Sequence, residues 1–178
     1  MRKIVLTFGL IAGAILSAMM SIALLFQDQI GFDKGAIFGY TSMVVAFLMV
    51  FFGVRAYRDN VAGGKVTFGR ALKVGLLITA VACACYVATW QVIYYKFAPD
   101  FIDKYSAYTV EKARKAGATD AELVEQTRQM EQFKEMYRNP LVNIALTLLE
   151  PLPVGLLFTL VTAGVLSRKR RTEEAAVA

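Results

Sequence analysis

Four apolar stretches, each close to the length a helix needs to cross a bilayer, constrain this chain more than any other feature. They occupy roughly residues 4–26, 36–54, 71–95 and 141–167. A hydrocarbon core of about 30 Å takes about 20 helical residues to span. Inside lipid a segment must satisfy its own backbone N–H and C=O groups, which a helix does. The expected fold class is all-α transmembrane: a four-span helix bundle, with a helical hairpin outside the membrane between spans three and four. Of 178 residues, 57% are hydrophobic, against roughly 45–50% for a soluble domain. A single four-span membrane domain over 1–171 is expected, followed by a disordered tail at 172–178.

The net charge of +6 is informative through its placement. Arg2 and Lys3 precede span one, Arg55 to Lys73 separate spans two and three, and Arg168 to Arg171 follow span four. Residues 27–35 carry Asp28, Asp33 and Lys34, and 96–140 carry eight acids and eight bases. Basic residues flanking spans stay cytoplasmic. All three basic clusters agree on an inner (cytoplasmic) membrane topology with both termini and the 55–73 loop inside and 96–140 outside. Because each cluster lies against a span, no nucleic-acid partner is expected. Arg55, Arg58, Lys65, Arg70 and Lys73 are candidate contacts to anionic headgroups, worth about 1 kcal/mol per basic side chain.

Cys83 and Cys85 fall inside span three. Two residues apart on a helix they point about 200° from each other, so they cannot pair and read as packing residues. The chain has no histidine, the commonest metal ligand and general base near neutral pH. No metal, no cofactor and no catalytic group is expected, and the chain is read as a non-enzyme. The first apolar run has a basic start and a Ser21-Ile22-Ala23 end, which raises a cleaved signal peptide. At about 23 residues it exceeds the usual 7–15 of a signal core, so it is read as a retained span.

Helices in lipid associate by close packing, and small residues mark their contact faces. Gly9, Gly13, Ser17 and Ser21 recur every four residues in span one. Gly35 and Gly39 open span two, Ala71, Gly75, Thr79 and Cys83 follow in span three, and Gly155, Thr159 and Ala163 in span four. Each set shares one helix face. These read as seams of a tight bundle; the rival for span one is a homodimer face. Trp90, Tyr94, Tyr95 and Tyr57 stand at span ends and read as interfacial aromatics.

Residues 99–139 read as two helices. Pro99 suits a first turn, Phe101, Tyr105 and Tyr108 share a side, and Gly117 terminates. Thr119 and Glu122 form a capping box, and Leu123, Met130, Phe133 and Tyr137 follow as an apolar stripe. Glu131 and Lys134 are expected to attract along that helix. Asn139-Pro140 ends it and starts span four. The segment is either a cap on the bundle or a docking surface for a membrane or periplasmic protein.

Glu150 is the single acid within any span, set in Glu150-Pro151-Leu152-Pro153. An acid in a membrane is a functional candidate by default. Pro151 and Pro153 lack N–H groups, so the carbonyls of Thr147 and Leu149 lose their helical partners. A carboxylate beside freed carbonyls suits an ion or proton site, as in the broken helices of transporters. The alternative is a kink, with Glu150 as interfacial partner to a basic or amide side chain. Measured from Ser167, Glu150 lies about 26 Å along the helix, near the outer boundary of the core. The glycine-rich run Gly63-Gly64-Lys65-Val66-Thr67 lacks the spacing and strand context of a phosphate loop and reads as a tight turn.

At that loop the chain resembles a known family. The 52–59 run, Gly63-Gly64-x-Val66-Thr67-Phe68-Gly69-Arg70-Ala71-x-Lys73-Val74-Gly75, Phe133-Lys134-Glu135-Met136-Tyr137-Arg138-Asn139-Pro140 and Glu150-Pro151-Leu152-Pro153-Val154-Gly155-Leu156 are similar to the bacterial membrane proteins grouped as DUF4199. The resemblance implies a four-span bacterial membrane protein and carries over no functional residues. Two functions are expected from different classes. The first is a non-catalytic assembly or accessory protein with the external hairpin as contact surface. The second is a small homo-oligomeric transporter coupled to protons or cations through Glu150.

Overall fold

The computed structural model describes residues 1–167; the basic cluster at 168–171 and the expected tail at 172–178 lie outside the described residues. The described chain forms helices α1 (Arg2–Leu25), α2 (Gln27–Asn60), α3 (Phe68–Lys96), α4 (Phe101–Lys115), α5 (Asp120–Tyr137), α6 (Pro140–Leu149) and α7 (Pro151–Leu166), with no strand among them. Four helical segments are long and apolar enough to cross a membrane: Arg2–Leu25, Gln29–Asn60, Phe68–Lys96 and Pro140–Leu166, of 24, 32, 29 and 27 residues. At 1.5 Å per residue each exceeds a core of about 30 Å.

α1 packs on α2 and α3, and α7 packs on α2 and α3. The core runs along α2 and α3, where Phe47, Val50, Val54 and Ile78 are fully buried. Leu10, Val45, Leu157 and Val161 point outward and are half or more exposed, which is the surface lipid would cover. The contact faces are built on absent side chains. A Cβ on Gly9 would lie 2.7 Å from Val81, one on Gly13 2.6 Å from Cys85, and one on Gly155 2.5 Å from Thr79. Hydroxyls then bridge the close approaches. Thr79 and Thr159 share a hydrogen bond of 3.0 Å between α3 and α7, and Ser17 and Thr89 one of 2.7 Å between α1 and α3.

The structure departs from the sequence expectation in several places. The linker expected over 27–35 is helical. Phe26 alone separates α1 from α2, and the chain changes direction at Gly31, with φ 73° and ψ 164°. That backbone region strains any residue with a Cβ, so a glycine allows the turn to be this short. Gly35 and Gly39 do not form a seam, because a Cβ at either would meet nothing within 4 Å. Pro99 stands outside α4. Phe97 and Ala98 both donate to the Ile93 carbonyl to close α3, which leaves Pro99 in the reversing turn and Asp100 as N-cap.

α4 stops at Lys115, with Ala116 as C-cap and Gly117 just beyond it at a φ of 89° that suits glycine. α5 starts on a complete capping box: the Thr119 N–H donates to Glu122 Oε2 at 2.7 Å, and the Glu122 N–H donates to Thr119 Oγ1 at 3.4 Å. That backbone donor holds the Glu122 carboxyl below its ordinary value. α4 and α5 contact each other, with Lys134 paired to Asp103 of α4. The hydrogen bond from Lys134 to Asp103 holds its ammonium above the ordinary value, with Glu131 adding a weaker attraction.

Candidate functional site

α6 and α7 meet at Glu150, whose φ of −68° and ψ of −59° remain helical. The interruption therefore comes from the donors that Pro151 and Pro153 lack, and the backbone needs no unusual angles. Pro151 is buried and Pro153 exposed. The Glu150 carboxylate accepts a hydrogen bond of 2.6 Å from the Tyr86 hydroxyl of α3. Sequence reasoning offered a basic or amide partner, and the structure supplies a phenol. A neutral hydroxyl stabilises a carboxylate without cancelling its charge, so the attraction for a cation remains.

Glu150 and Tyr86 line a cavity of about 470 Å³. Its lining comes from α1, α2 and α3, with Thr147 of α6, and from residues of α4 and α5 on the side nearest the start of α2. Most of the lining is aromatic or aliphatic, with Met19, Met20 and Met43 contributing adaptable side chains. Gly35 and Gly39 border this space, which explains why a Cβ there would meet nothing. Glu150 is the one charged residue lining it among the described residues. Pockets of this size and character are typical of small-molecule sites.

Aromatic contacts hold α4 and α5 over the cavity. The Trp90 indole N–H donates 2.8 Å to the Tyr137 hydroxyl, both residues being buried. Burial pushes the Tyr137 phenol above its ordinary value. Trp90 packs edge-on to Phe101 at 4.9 Å, and Phe32 of α2 lies 4.8 Å from Tyr108 and 5.6 Å from Tyr105. Lys112 Nζ donates to Asp33 across the same junction at 2.5 Å. Trp90 and Tyr94, read from sequence as interfacial, are packed between helices; Tyr95 is exposed. Next to the cavity, Gln91 Nε2 donates 2.7 Å to the fully buried Asn143 Oδ1, and Thr147 Oγ1 donates 2.8 Å to the Asn143 carbonyl.

The remaining sequence candidates are placed elsewhere. Gly9, Gly13 and Ser17 are covered by α3 of the same chain, and Ser21 donates back to the Ser17 carbonyl at 2.8 Å. Arg55 and Arg58 flank Asp59 at 3.7 Å and 2.7 Å. Lys65, Arg70 and Lys73 are exposed around a turn that Gly63 and Gly64 make with φ of 65° and 84°. Cys83 and Cys85 carry free thiols. No group of three or more acids or cysteines placed to hold a metal occurs among the described residues.

Sequence reasoning missed Tyr86, Gln91 and Asn143. Tyr86 carried a signal as a polar side chain well inside an apolar run, away from the ends where an aromatic belt would sit, whereas Gln91 and Asn143 lie near the ends of their runs and gave none. A multi-pass helical protein with a polar anchor in an apolar cavity is the class these features define. The chain belongs to the family described as protein of unknown function (DUF4199), whose sequence model matches residues 7–168. No curated protein and no solved structure matches it.

Proposed function

We propose that this is a non-enzymatic transporter of a bacterial inner membrane that takes a proton or a cationic solute at Glu150. Its four spans form a bundle with both termini cytoplasmic, and α4 and α5 make a periplasmic hairpin over the cavity. One observation carries the reading: among the described residues the sole charged group lining the cavity is a carboxylate whose hydrogen-bond partner is an uncharged hydroxyl. A carboxylate lining an apolar cavity is a functional candidate for holding a cation or a proton. Four spans enclose little space for a continuous path, so the working unit is a homo-oligomer.

The test is flux into proteoliposomes containing a trapped pH dye, under an imposed ion gradient. Wild type should exceed empty liposomes, and Glu150→Gln should abolish the excess. Equal rates for wild type, Glu150→Gln and empty liposomes would remove the proposal.

A second reading, an accessory protein that docks a partner on α4 and α5, draws on their exposed outer surface, where Val124 and Met136 are 70% and 53% exposed. Stoichiometric co-purification of a membrane or periplasmic protein, lost when residues 100–138 are replaced by a short linker, would favour it. The apolar stripe of α5 weighs against this second reading, since Phe133 and Tyr137 turn inward to the cavity.

A further inference from the structure

We infer that the cavity takes a lipophilic organic monocation, its charge at Glu150 and its apolar body among the aromatic and methionine side chains of α1, α2 and α3. The inference rests on the transport reading and names its substrate class. Three features of the site select this chemistry.

Charge is the first. A single carboxylate, with no lysine or arginine lining the cavity among the described residues, favours one positive charge. An anion would meet repulsion, and a dication would lack a second counter-charge. Coordination is the second. A bare metal ion needs about six oxygen or nitrogen ligands in place of its waters. Here one carboxylate and one phenol converge, and no three-residue metal group occurs among the described residues. An alkylammonium or similar ion has a weakly held hydration shell and needs no such cage. Lining is the third. Trp90, Tyr86, Tyr40 and Tyr137 line the cavity, and aromatic rings attract organic cations. Met19 and Met20 can repack around ligands of different shape. A volume of about 470 Å³ holds a body much larger than a proton or a hydrated sodium ion.

The chain carries one tryptophan, Trp90, and it lines this cavity. Its fluorescence therefore reports occupancy without a label. The full chain in dodecyl maltoside micelles is titrated with benzyltrimethylammonium and, separately, with neopentylbenzene, its uncharged carbon isostere. A quaternary ammonium cannot exchange a proton, so charge is tested apart from hydrogen bonding. The cation should change Trp90 emission saturably and the isostere should not. Glu150→Gln should weaken the cation by about ten-fold or more, and Tyr86→Phe by only about three-fold, because the charge supplies the main attraction. Far-UV circular dichroism checks that both variants keep their helices.

Equal response to the cation and its isostere, or unchanged cation binding in folded Glu150→Gln, would overturn the inference. A silent Trp90 alongside Glu150-dependent proton flux in liposomes would also overturn it, while leaving the transport reading intact. Loss of both would remove the two together.

Discussion

Gly155 and Gly39 both stand in the interior of long apolar helices, and their surroundings are opposite. A Cβ on Gly155 would come within 2.5 Å of Thr79 and 2.9 Å of the Phe47 ring, whereas one on Gly39 would meet nothing within 4 Å. Around Gly155, Gly75 and Gly13 the missing side chains let backbones approach. Around Gly39 and Gly35 they leave a space. One composition thus builds a close seam between some helices and borders a cavity toward α4 and α5. The seam holds α3 against α1 and α7, and Glu150 is the one charged residue lining the cavity among the described residues.

The largest expected effect breaks this comparison directly. Gly155→Ala should cost about 2 kcal/mol, because overpacking a filled site forces neighbours to shift. Gly39→Ala should cost nothing and could add about 0.5 kcal/mol by restricting the unfolded chain. Unfolding in sodium dodecyl sulfate, followed by circular dichroism, measures both. Equal losses would mean the two regions are packed alike.

Next in size is Tyr137→Phe, which removes the acceptor for the buried Trp90 N–H. An unsatisfied buried donor costs about 1–2 kcal/mol, and the same unfolding assay should register it, with a change in Trp90 emission. Thr159→Val tests the seam more gently. It removes the 3.0 Å bond to Thr79 and keeps the shape. Interhelical hydrogen bonds of this kind average about 0.6 kcal/mol, so a shift larger than that of Tyr137→Phe would misplace the strong contacts.

The smallest effect separates the capped α5 from the membrane helices. Glu122 has its carboxyl held below its ordinary value by the Thr119 N–H. A depressed carboxyl stabilises the folded form above its unfolded value, and that contribution is lost as pH falls through the folded value. Amide exchange at the start of α5 should therefore accelerate as pH drops below about 4, after correction for intrinsic rates, and Glu122→Gln should remove that dependence.

The four apolar segments were legible because length and hydropathy fix them locally, as were the Thr119–Glu122 cap and the Gly117 stop. The partners of the small residues were not. A four-residue step says that Gly9 shares a face with Gly13 on one helix, and Gly35 with Gly39 on the next, and says nothing of what lies opposite. Gly13 meets Cys85, and Gly39 meets a cavity. The turn at Gly31 was missed because a single glycine among Asp28, Asp33 and Lys34 looks like part of a loop. Glu150 stood out as the lone intramembrane acid, yet Tyr86 lies 64 residues away in sequence. A contact at that separation leaves no local pattern. Trp90 was read from its position near the end of α3, while its bond to Tyr137 depends on how α5 folds back.

On the proposed reading the cavity itself, with Glu150 on its wall, is the working site. Filling it tests that claim most directly. Gly39→Phe places a ring where a Cβ meets nothing, away from every seam contact. Flux into proteoliposomes is then compared with wild type. The expected result is a folded variant, with wild-type helicity and unfolding midpoint, whose Glu150-dependent flux falls to the level of empty liposomes. Wild-type flux through the folded, filled variant would contradict it.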